Sequence, residues 1–185
     1  MDQDSEDLKR ARGSWARRGQ ARPDFAVKPA PGQVSVWDFP RPPRVERVTP
    51  RVRVMFAATT LADTGDAWRV CETASPPTYY IPRQDVHMPY LTPSRRRSLC
   101  EWKGQAVYFN VEVDGQAAPD AVWSYPEPWA GFQAIAGHLA FMAGAMDACF
   151  VGDDQVRPQP GGFYGGWITS ELVGPFKGEP GTGHW

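Results

Sequence analysis

Cys100, Glu101 and Lys103 place a thiol, a carboxylate and an amine within four residues, just ahead of an alternating apolar segment. A thiol beside an ammonium loses its proton more readily and becomes a nucleophile. The ammonium itself can stabilise developing negative charge or contact a phosphate. The bland alternative for Cys100 is a small buried hydrophobe, as most free cysteines are. Glu72 is the second carboxylate of interest. In the alternating run Ala67 to Thr73 it shares a face with Trp68 and Val70. A carboxylate there is costly unless it is paired or opens into a cavity. Its functional roles would be general base or anchor for a cationic or hydroxylated ligand. Its structural role would be an ion pair with Lys103 or an arginine.

Aromatic residues with polar tips surround these groups in the sequence. Tyr80 lies in a short β-type run, Tyr108 lies opposite in phase to Val107 and Phe109, and Trp123 and Tyr125 share a face of the next segment. If these faces meet, Tyr80, Tyr108, Trp123 and Tyr125 line a concave site where a planar or cationic ligand stacks. The competing reading is a second apolar layer. Asp85 either orients a tyrosine or caps its own turn. His138 is a lesser acid–base candidate, and His87 sits in a Pro-flanked loop. No Gly-x-Ser-x-Gly, His-Glu-x-x-His or phosphate-loop motif is present.

The elements that must position these side chains read as strands. Val52, Val54 and Phe56 alternate with Arg51, Arg53 and Met55; Leu61 to Asp63 returns. Thr78 to Ile81 is stopped by Pro82. Thr92-Pro93-Ser94 leads to Arg95, Arg96 and Arg97, a triplet read as a solvated turn in preference to a phosphate cradle. Gln105 to Val113 is the clearest strand, and Asp114-Gly115 is a strong hairpin signal leading to Ala121–Tyr125. Gly131 to Gly137 predicts a short helix. His138–Met142 and Asp147–Val151 predict a last strand pair. Ser35 to Arg44 is a Pro-rich extended strap pinned by Trp37 and Phe39. Asp4 to Arg18 has helical spacing at Leu8, Ala11 and Trp15, with too little apolar surface to fold alone, so disorder or loose docking is expected. The organisation is a flexible arm over 1–33, a β-rich domain over 34–157, and a Gly- and aromatic-rich wrapping tail over 158–185.

Composition supports the β reading. The 185 residues include 18 Gly, 19 Pro and 23 aromatic side chains (8 Trp, 9 Phe, 6 Tyr), a profile of short strands and turns. A net charge of −1 gives no electrostatic case for nucleic acid or an anionic membrane surface. No apolar stretch approaches the roughly 20 residues that span a bilayer. The charged stretch Met1 to Gln20 lacks the apolar centre of a secretory signal. A cytoplasmic location is therefore expected. Three widely spaced cysteines without a Cys-x-x-Cys pair argue against a disulfide framework or a cysteine zinc site, so neither metal nor cofactor is expected.

Several ordered motifs resemble a known family. They are Val70-Cys71-Glu72-Thr73, Tyr79-Tyr80-Ile81-Pro82, Asp85-Val86, Cys100-Glu101-Trp102-Lys103-Gly104, Ala121-Val122-Trp123-Ser124-Tyr125, and Ile135-Ala136-Gly137 followed by Ala140-Phe141. Together they look like the family called domain of unknown function 427, also labelled nucleotidyltransferase-like, over roughly residues 34 to 157. The strap and the Gly-rich tail resemble a longer-chain subgroup. The resemblance implies a compact β-rich fold similar to β-tent domains, which often hold zinc between paired cysteines. This chain has no such pairs, so zinc does not carry over.

The expectation is thus mainly β: a single compact antiparallel β domain, β-tent-like or barrel-like, with one short helix and extended terminal arms. The expected function is binding of a small molecule, or metal-free turnover of a small polar organic substrate, with Glu72 as base, Lys103 as electrostatic stabiliser and Cys100 as reserve nucleophile. Alternatives are a non-catalytic interaction module, in a possible homodimer, and nucleotidyl transfer.

Overall fold

The computed structural model describes residues 5–185. The position expected to start the arm's helix, Asp4, lies outside them. Within the arm, α1 spans Glu6–Gly13, with acids in its first turn and arginines in its last, as the helix dipole favours. Leu8 is its buried residue.

Fifteen short strands follow among the described residues. The first six are β1 (Val34–Ser35), β2 (Arg44–Arg47), β3 (Val52–Phe56), β4 (Thr59–Thr64), β5 (Trp68–Cys71) and β6 (Thr78–Tyr80). Three longer ones form a meander: β7 (Leu91–Cys100), β8 (Gly104–Val113) and β9 (Gln116–Ser124). Then come β10 (Leu139–Phe141), β11 (Ala148–Val151), β12 (Asp154–Gln155), β13 (Arg157–Pro158), β14 (Trp167–Ile168) and β15 (Leu172–Val173).

Among the named strands, pairing is antiparallel except for the small parallel contact of β1 with β15. The sheets run β10-β9-β8-β7, β12-β11-β3-β4 and β2-β5-β6, with two-stranded pairs β1-β15 and β13-β14. The mainly β, antiparallel expectation matches this arrangement; the sheets do not close into a barrel. The β8–β9 hairpin turns at Asp114 and Gly115, both at positive φ (48° and 79°), the backbone that Asp-Gly supplies.

Alternation on β3 buries Val52, Val54 and Phe56 and leaves Arg53 exposed. These residues share one core with Leu61, Val111, Val122, Leu139, Phe141 and Trp167, so the two four-stranded sheets enclose it. The other face of the β7–β10 sheet is also apolar. Ala106, Trp123 and Ala140 cluster there with Val70 and Tyr80 of the smaller sheet, and with Tyr125 just beyond β9. A third cluster joins the strap (Val36, Trp37, Phe39) to Cys71, Ala74 and Leu172.

Three local expectations are corrected. The arginine triplet is not a turn but part of β7, whose register shifts between Pro93 and Arg97. Strand β7 is an edge, and its register breaks just after Pro93, the two places where a sheet tolerates proline. The expected last strand pair does not pair with itself: β10 joins β9, and β11 joins β3. The expected helix at Gly131–Gly137 is one 3₁₀ turn at Gln133–Ile135, bounded by Gly131 and Gly137 at positive φ. No helix among the described residues is long and apolar enough to cross a membrane.

Candidate functional site

The β7–β8 connection carries the ionisable cluster. Cys100 faces Gly104 across the hairpin, leaving Glu101, Trp102 and Lys103 to form the turn. Gly104 has φ +96°, and a Cβ there would lie 3.1 Å from the Trp129 indole, so backbone and packing both call for glycine. The turn directs the half-buried Lys103 toward Tyr125, with Nζ 5.7 Å from the ring centre. The Tyr125 ring lies 6.4 Å from that of Tyr80. Tyr108 stands directly opposite Trp123 across β8 and β9, so these two share the face that the period-two pattern assigns them.

Burial shapes the electrostatics here. It raises the Tyr80 phenol to about 12, and it pushes Tyr125 up as well, with Lys103 opposing both shifts. Burial also works against the Lys103 ammonium, but Cys100, Tyr125, Tyr80 and Glu72 together outweigh it and hold the amine above its usual range. Lys103 therefore carries its proton at neutral pH. Its main-chain oxygen accepts from Trp129 N–H at 3.2 Å, but its Nζ makes no hydrogen bond or ion pair with the described residues. The Tyr80 hydroxyl is likewise sealed without a hydrogen bond of ordinary geometry, although the Trp123 indole is a favourable neighbour.

Glu72 is engaged. Arg41 Nε donates to its Oε1 at 2.8 Å. The Arg41 side chain is fully buried and also donates to the main-chain oxygens of Thr73 (2.9 Å), Arg17 (3.0 Å) and Trp185 (3.4 Å). Cys100 Sγ lies 3.8 Å from Glu101 Oε2. Tyr108 bonds Ser98 Oγ at 2.8 Å and lies under the Arg96 guanidinium.

The structure thus brings Lys103, Cys100, Tyr80, Tyr125, Trp123 and Tyr108 into one cluster, with Glu72 near enough to act on Lys103. Asp85 is not among them. It sits in a 3₁₀ turn after β6, where its Oδ2 accepts from Thr64 Oγ1 at 2.6 Å.

Two segments from outside the β sheets close over this cluster. Trp15 of the arm packs against it, and its Nε1 donates to Glu101 Oε1 at 2.8 Å. Tyr164 of the tail faces Lys177, and the adjacent Gly165 lies so close to Trp123 that a Cβ would fall 2.1 Å from the ring. The larger hollows lie elsewhere: a groove of about 610 Å³ along Arg97, Leu99, Gln105 and Trp129, one of about 480 Å³ by Arg83, His87 and Tyr90, and one of about 330 Å³ by Arg69, Tyr79 and Thr169. Beside Tyr108 and Trp123 only about 70 Å³ remains under Phe163.

Arg41, Lys177, Trp15 and Tyr164 are the participants that sequence reading missed; it names Glu101 but not its role as the acceptor of the Trp15 N–H. Arg41 had a signal, a cation between two prolines of a pinned strap. Lys177 and Trp15 had none, because their contacts cross most of the chain.

Comparison with protein families matches residues 44–152, more than half of the chain, to Domain of unknown function (DUF427). The chain belongs to that family. The resemblance seen in its motifs is confirmed. The matched segment contains every residue singled out from the sequence, from Glu72 to Tyr125. It excludes Trp15, Arg41, Tyr164 and Lys177. No curated protein matches the chain.

Proposed function

We propose that this DUF427 chain binds a small polar organic molecule bearing an acidic group, with Lys103 as the anchoring cation and Tyr80, Tyr125 and Trp123 as the surrounding walls. One observation carries the reading. Lys103 is a protonated, half-buried amine among aromatic rings, and no described residue supplies it a hydrogen-bond acceptor. Withdrawing an ammonium from water without a close partner is costly, so such a position favours an acceptor brought from outside.

Binding is preferred to catalysis because Glu72, the candidate base, is occupied by Arg41. Its carboxylate serves instead to hold a buried guanidinium in place. Cys100 remains the nearest nucleophile should a ligand carry an electrophilic carbon.

Thermal unfolding of the wild type and of Lys103→Met, each with inorganic phosphate, acetate, benzoate and succinate, tests the proposal. At least one probe raises the wild-type midpoint and leaves the variant unmoved. Equal responses in the two proteins, or none to any probe, would overturn it.

A further inference from the structure

A single tryptophan on a charged arm gains little by folding unless a seat exists for it. Trp15 has one. Its indole lies 4.4 Å from the Arg41 guanidinium carbon and 3.8 Å from Lys177 Nζ, measured to the ring centre. Its N–H points into the Glu101 carboxylate at 2.8 Å. Two cations over one ring favour an electron-rich π-system, and the carboxylate favours a ring N–H.

The walls of this seat are held without Trp15. Arg41 is fixed by Glu72 and the Thr73 oxygen. Lys177 Nζ donates to the Trp185 main-chain oxygen at 3.0 Å. Glu101 belongs to the β7–β8 turn. If Trp15 withdrew, a preformed recognition site for a planar heteroaromatic would stand open beside Cys100 and Lys103.

We propose that this seat is a subsite for planar, electron-rich heteroaromatic ligands with a ring N–H, of the indole type, and that Trp15 fills it in the unliganded protein as an internal competitor. The proposal rests on the small-molecule reading above and specifies the ligand's ring, but through other residues. Lys103 grips the acid; Arg41, Lys177 and Glu101 select the ring. A tethered competitor acts at an effective concentration of about millimolar, so free ligand binds the intact chain weakly.

The test uses the full chain carrying Trp15→Ala, with indole as probe and benzofuran, which lacks the N–H, as control. Calorimetric titration is expected to show indole bound more tightly by the variant than by the wild type. Benzofuran binds the variant about tenfold more weakly than indole, the effect of one charge-assisted hydrogen bond. Adding Glu101→Leu to the variant abolishes that difference. No indole binding by the variant, equal binding of indole and benzofuran, or equal binding by variant and wild type would each overturn the proposal. Indole carries no acidic group, so its binding by the variant is read apart from the acetate, benzoate and succinate shifts that report on Lys103, and failure of either reading is seen separately. A second measurement does not depend on Trp15→Ala folding. Glu101→Leu alone removes the acceptor of the indole N–H, so trypsin cuts the arm at Arg12, Arg17 and Arg18 faster than in the wild type. Unchanged cleavage counts against the seat.

Discussion

Replacing Lys177 by methionine isolates one titration at the junction of arm and tail. The Lys177 side chain is buried, beside Trp15 and the Trp185 main-chain oxygen. Burial first, and Arg41 second, disfavour its ammonium; Glu72 and Glu101 favour it; the balance brings the amine down from 10.5 to about 8. Below pH about 8 both folded and unfolded chains hold this proton, and the folded chain bears the cost of a buried charge. Between about 8 and 10.5 the folded chain releases it first, so stability from this group rises with pH. Above 10.5 the gain is complete, and it is lost again as pH falls through the folded value. At about 1.4 kcal/mol for each pH unit, the window is worth about 3 kcal/mol. Cys71 and Tyr80 act oppositely. Burial raises both to about 12, so their contribution is present below their unfolded values and fades as pH climbs toward that figure. Subtracting the Lys177→Met curve from the wild-type curve removes them. Urea unfolding of both proteins at about pH 7 and about pH 10 is the assay. The wild type gains on the variant by about 2–3 kcal/mol across that interval. A flat difference refutes the argument. A difference of opposite sign shows that the faces of Trp15 and Tyr164 favour the ammonium by more than burial opposes it.

Two further outcomes are expected. Ala57 and Ala58 turn β3 into β4 with φ of 48° and 58°, a left-handed backbone that costs alanine about 1 kcal/mol or more at each position. Ala58→Gly therefore raises unfolding free energy by about 1 kcal/mol in urea titration, and an unchanged or lower value contradicts the turn assignment. Iodoacetamide near neutral pH labels Cys100, which is half-buried, while Cys71 and Cys149 stay unlabelled because burial excludes the reagent and pushes both thiols up. Peptide mass spectrometry reads the sites, and modification of Cys149 in the native protein contradicts its place in the core.

The strands were legible where alternation or turn chemistry was strong. Val52, Val54 and Phe56 bury as their spacing requires, and Asp114-Gly115 makes the hairpin. Legibility failed where an element's state depends on what lies beside it. Arg95–Arg97 has turn-like polarity, yet an edge strand tolerates that composition because one of its sides meets solvent. The partners of β10 and β11 were misread because adjacency in sequence does not decide which sheet a short apolar run joins. The site divides in the same way. That Tyr108 and Trp123 share a face follows from period-two geometry within one hairpin. That Glu72 meets Arg41 rather than Lys103 depends on where a proline-bounded strap crosses the sheet, and no local pattern encodes that crossing.

The division between matched and unmatched segments also separates two kinds of work at the site. Residues 44–152 supply Lys103, Cys100, Tyr80, Tyr125 and Glu101, the groups that would touch a ligand's polar end and its ring N–H. Arg41, Trp15, Tyr164 and Lys177 come from the strap, arm and tail outside that span, and they supply the cations and rings above it. Glu72 joins the two sets, since its carboxylate bonds Arg41 while its charge acts on Lys103. Glu72→Gln therefore keeps the side chain's shape but removes the charge that Arg41 and Lys103 both feel. A ligand gripped by Lys103 alone would lose little from that change. A ligand that also needs Arg41 held over its ring would lose the Arg41 contact and bind more weakly.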